Sequence, residues 1–145
     1  MGSKTSLMAL DVGSRRIGIA VSDPSGSFAL PLATIARTNR REDLASIKSY
    51  LDAYEVEELI VGDPITLSGE RDVAARAMDA FVEALREVFS GTIHRVDERL
   101  TTAQATKTLI AADVSRARRR RLVDRMAAAL ILESFLARRR REGQP

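Results

Sequence analysis

At 145 residues, with 45% hydrophobic and 30% charged residues, the chain supports one compact hydrophobic core and excludes two full-sized domains. Absence of cysteine excludes a disulfide framework and a thiolate zinc site, and no signal peptide or membrane-spanning run is read, so the expectation is a cytoplasmic protein with no membrane partner. The net charge of +3 is uneven: residues 115–145 hold ten arginines against Asp124, Glu133 and Glu142, a local +7 that leaves −4 for the rest.

Residues 6–12 and 17–22 are short apolar, β-branched runs separated by Gly13 and two arginines, and "DPSG" at 23–26 is a turn leading into a third run, Phe28 to Ile35. Pro31 inside that run predicts an edge or bulged strand. Asn39 and Glu42 form a capping-box pattern, after which Leu44, Ile47, Leu51 and Tyr54 recur at helical spacing. "ELIVG" (58–62) suits a strand buried on both faces, followed by the loop "DPITLSG". Val73, Ala77, Phe81, Ala84, Leu85 and Val88 mark a second helix, and "TIHRV" is a fifth strand ending in "DER". A cap at Thr101 opens a helix to about Ala112, residues 113–120 read as a basic connection, and a last helix runs from about Arg121 to Arg139. This order predicts an α/β fold: a mixed five-stranded sheet flanked by helices on both faces, in the order of a ribonuclease H-like domain. The domain is expected over 6–139, with 1–5 and 140–145 as flexible tails.

Asp11 alternates with Leu7 and Ala9 and so faces apolar neighbours. Desolvating a lone carboxylate costs several kcal/mol, so Asp11 requires a partner: Arg15, Arg16 or a metal. Asp124 shares a helical face with Ala127, Ala128, Ile131 and Phe135. A first-turn acid favoured by the helix dipole explains its place near the N-terminus but not its register with the apolar stripe. Asp97 and Glu98, adjacent at the end of the fifth strand, face opposite ways, so one of them points with the others. Three converging carboxylates repel unless cations intervene. Two Mg²⁺ or Mn²⁺ ions roughly 4 Å apart would remove that cost and supply phosphodiester hydrolysis.

"LDVGSRRIGIAVSD", "IVGDPITLSG", "VDERLTTAQA" and "LVDRMAAALILESFL" together resemble the YqgF/RuvX family, ribonuclease H-like proteins related to Holliday junction resolvases; the resemblance spans residues 7–136. It implies that Asp11, Glu98 and Asp124 are catalytic and metal-binding, and that the activity is a metal-dependent nuclease acting on the 5′ end of pre-16S rRNA. Some family members are instead described as junction resolvases acting on branched DNA. Asp63 departs from the apolar residue usual after Gly62. It is either a further metal-proximal carboxylate, since junction resolvases carry a catalytic glutamate on the corresponding strand, or a turn residue before Pro64.

Arg116, Arg118, Arg119, Arg120 and Arg121, with Arg15 and Arg16, are assigned to nucleic-acid phosphates, whereas Arg138 to Arg141 read as a solvated tail. Few aromatics (4%) and no Trp argue against a broad aromatic stacking platform. His94, the single histidine, reads as a packing or surface residue. A non-catalytic nucleic-acid-binding domain is the competing reading, and an actin-like ATPase would need a second domain for which there is no room. Pre-rRNA and branched DNA both remain as substrates, and both a monomer and a homodimer are compatible with the sequence.

Overall fold

The computed structural model describes residues 6–63, 73–97 and 115–143, with the side chains of 116–125 excepted. Five strands, β1 (Ser6–Val12), β2 (Arg16–Ser22), β3 (Ala29–Ala36), β4 (Val56–Asp63) and β5 (Thr92–Asp97), form one sheet in the order β3-β2-β1-β4-β5. β1 to β3 make the antiparallel meander, and β4 and β5 add in parallel. α1 (Arg40–Ala53) links β3 to β4, α2 (Val73–Leu85) lies between β4 and β5, and α3 (Arg116–Arg141) closes the chain. The helix expected over 101–112 and the loop 64–72 lie outside the described residues.

Alternation within each strand sorts the core into two layers. Met8, Leu10, Ile17, Ile19, Leu59 and Val61 pack with α1 and α2, whereas Leu7, Ala9, Ala20, Ile60 and Val96 pack with Ala128, Ile131, Leu132 and Leu136 of α3. The central strands are buried on both faces, which is why they read as continuous apolar runs. β3 lies at the sheet edge, and its register against β2 shifts where Ala20 faces Pro31. Proline cannot donate to the ladder, so the chain bulges there.

Several expected details differ. Val73 and Tyr54, read as core positions, are exposed. Tyr54 is the C-cap of α1, and α2 ends at Leu85 rather than at Val88. Asn39 caps α1 by accepting from the Glu42 amide at 2.9 Å, but Glu42 accepts from the Thr38 hydroxyl at 3.2 Å instead of closing the box. The largest difference is α3, whose helix starts at Arg116 and continues to Arg141. "SRARRRR" has no apolar period and so looks like a connection, yet arginine is a good helix former and the downstream apolar stripe nucleates the helix.

Candidate functional site at the carboxyl ends of β1, β4 and β5

Asp11 lies one residue before the end of β1, paired with Gly18 of β2, and it is half-buried on the α3 face. A methyl group placed on Gly18 would lie 3.8 Å from the Asp11 Cβ and 3.7 Å from the Ala128 Cβ. Asp11 and α3 therefore meet over the same glycine. Position 124 is one helical turn before Ala128, on the same stripe. α3 runs antiparallel to β1, since its other end, Arg139, sits on Glu58, which pairs with Leu7 near the start of β1. Arg116 precedes Ala128 by twelve residues, so the helix extends about 18 Å before reaching Ala128 and carries positions 116 and 118–121 at the Asp11 end of the molecule.

Among the described residues Asp11 makes no ion pair, with Arg15, Arg16 or any other cation. Both arginines are exposed. The remaining carboxylates divide by face. Val96 packs toward α3, so Asp97, its neighbour, lies on the opposite face, in register with Asp63. Asp63 is buried and accepts from Arg95 Nη2 at 2.9 Å, while Arg95 also pairs with Asp79 of α2 at 3.2 Å. Neither Asp63 nor Asp97 shares the face of Asp11. Glu98 and the side chain of Asp124 lie outside what is described, and among the described residues no group of three His, Asp or Glu side chains is assembled for a metal.

At the far end of α3 the structure brings together residues that the sequence did not link. Arg139 donates to both oxygens of Glu58, at 2.7 and 3.0 Å, and its guanidinium stands 4.6 Å from the centre of the Phe135 ring. His94 shares Glu58 at 2.9 Å and packs on Phe135. These bonds hold the Glu58 carboxyl down at about 2, the Arg139 pair most of all, against the opposing effect of burial. Arg139 thus belongs to a bidentate clamp and not to a solvated tail, and His94 is a packing residue.

A family model described as "RuvX: Holliday junction resolvase" matches residues 5–138. The chain belongs to the RuvX family. A relative from Moorella thermoacetica named "Putative pre-16S rRNA nuclease" is 45% identical over 132 residues, covering 91% of this chain and 94% of its own. One of the same name from Myxococcus xanthus is 40% identical over 129 residues, covering 89% and 85%. Among solved structures, Thermus thermophilus RuvC in complex with a Holliday junction substrate superposes with a TM-score of 0.55 at 18% identity over 92% of this chain and 95% of that one. The fowlpox virus Holliday junction resolvase gives 0.52 at 12% identity, covering 92% and 99%. Both carry the ribonuclease H-like fold expected from the element order.

Proposed function

We propose that this chain is a cytoplasmic nuclease that hydrolyses phosphodiester bonds in the 5′ leader of pre-16S rRNA, with Asp11, Glu98 and Asp124 holding two divalent ions, Mg²⁺ or Mn²⁺. The observation that carries the reading is the meeting of Asp11 with α3 over Gly18, one turn from position 124. Asp11 has no cationic partner among the described residues, which fits a carboxylate kept for a metal. Asp97 lies on the face opposite Asp11, which supports Glu98 rather than Asp97 as the strand-five acid of the set. Ions held there would activate water and stabilise the leaving oxygen. The arginines at 116 and 118–121 would draw the phosphate backbone to that end of the molecule, with Arg15 and Arg16 on the adjacent turn. Asp63 and Asp97 stay outside the metal set in this reading, since both lie on the α1/α2 face and Asp63 is bonded to Arg95.

A second reading, cleavage of branched DNA, is favoured by the description of the family model and by the likeness to RuvC. Incubating the protein with a pre-16S 5′ leader and, in parallel, a synthetic four-way junction, each with Mg²⁺ or Mn²⁺, separates the two. Cleavage of the leader, abolished by EDTA, is the expected result. Cleavage confined to the junction establishes the second reading, and binding of either without cleavage makes the chain a non-catalytic binding domain.

A further inference from the structure

Beside Asp11, on the other face of the sheet, a cleft of about 590 Å³ opens between the β1–β2 turn, the start of α1 and one side of α2. Gly13 and Ser14 lie on one side, and Ala74 and Ala77 of α2, both exposed, line the other. The volume falls in the range of pockets that enclose a small ligand. Its fixed feature is Arg37, whose guanidinium is anchored from three directions. Nη1 donates to the Gly13 carbonyl at 2.8 Å, Nε donates to Asp43 Oδ2 at 3.3 Å, and the group stands 5.4 Å from the centre of the buried Phe81 ring. Asp43 is itself only 2% exposed and is held by the Thr38 amide at 3.0 Å. Exposed Arg40 adds a second cation at the rim.

A pinned guanidinium in a cleft with apolar parts is a surface on which an unpaired nucleobase stacks, and it needs no aromatic platform. Position matters as much as chemistry. Gly13, the residue after β1, is two residues beyond Asp11, about 7 Å along the chain, so a strand with a phosphate at Asp11 would need to cross only the β1–β2 turn to reach the cleft. Resting on the nuclease reading above, we propose that this cleft receives the base of one unpaired nucleotide next to the scissile phosphate, stacked on Arg37, so that the substrate is single-stranded at that point. Arg40 meets the backbone of the same nucleotide.

The test is binding of a labelled single-stranded oligoribonucleotide, of the same strand made abasic throughout, and of its duplex, in EDTA, by fluorescence anisotropy. The wild type is compared with Ala77→Phe, which fills the cleft from an exposed position, and the melting temperature of each protein is recorded. Wild type is expected to prefer the intact single strand over the abasic one by about tenfold or more. Ala77→Phe should lose most of that preference while binding the abasic strand as wild type does. The proposal is overturned if Ala77→Phe keeps the full preference, if it weakens both strands equally, or if the duplex binds as tightly as the single strand; each of these leaves the nuclease reading standing. Absence of binding by wild type to all three also overturns the proposal, while the nuclease reading is decided separately by the cleavage assay with Mg²⁺ or Mn²⁺.

Discussion

Asp11 is a polar residue on an apolar register, and the two explanations of it predict different things. An acid kept by a salt bridge destabilises the protein when neutralised; an acid kept for a metal does not. With no ion pair at Asp11 among the described residues, Asp11→Asn should fold normally and lose about 10³-fold or more in cleavage rate, because a bridged ion loses a ligand. Circular dichroism beside a cleavage assay checks both halves. Glu58 is the opposite case, a carboxylate whose value is structural. Its pKa falls from the ordinary 4.5 to about 2, so the folded state is favoured by its ionised form. That contribution is complete above pH 4.5 and disappears as the pH falls toward 2. Glu58→Gln should cost about 1–3 kcal/mol at neutral pH, and the gap in melting temperature between it and wild type should close across that acidic window. A gap that is constant with pH would mean that packing, not charge, holds the clamp.

At the scale of elements, the strands were legible in the sequence because burial on both faces leaves short continuous apolar runs bounded by turn residues, and Pro31 and Asn39 announce an edge and a cap by chemistry that needs no tertiary knowledge. Asp11 was legible for the same reason, as a charge interrupting such a run. The Glu58–Arg139 clamp was not, since its partners are 81 residues apart and each looks like an ordinary surface charge. The cleft around Arg37 was equally hidden, because its depth depends on how far α2 stands from the β1–β2 turn. The meeting of β1 with α3 is the element-level claim most open to test. If Asp11, Glu98 and Asp124 crowd one site, the metal-free protein stores like-charge repulsion. Asp124→Asn should then be neutral or stabilising in EDTA and should lose most of the rise in melting temperature that wild type gains from Mn²⁺. An acid serving only the helix dipole predicts a loss of about 0.3–1 kcal/mol without metal and an unchanged metal response.

Across the whole molecule, α3 is a charged rod laid over a sheet, with arginines at both ends and opposite physics at each. In the last turn Arg138 to Arg141 face the negative end of the helix dipole and suit it. In the first turns the arginines at 116 and 118–121 oppose the positive end and repel one another, an arrangement that weakens the helix unless an anion is present. Their position at the Asp11 end, beside residues 1–114 that sum to −4, fits the proposed docking of a nucleic-acid phosphate as that anion. Replacing Arg118, Arg119 and Arg120 with alanine should therefore leave the free protein as stable or slightly more stable. It should also flatten the dependence of log K on log salt by up to about 0.9 for each lost duplex contact, or about 0.7 on a single strand. Replacing Arg138 and Arg141 should do the reverse, costing a few tenths of a kcal/mol through the dipole and leaving the salt slope unchanged. Titrations of one labelled strand at several salt concentrations, with melting curves of the same two variants, distinguish the ends. Equal salt slopes for both variants would place nucleic acid along the whole helix, and the assignment of the backbone to the Asp11 end would fall.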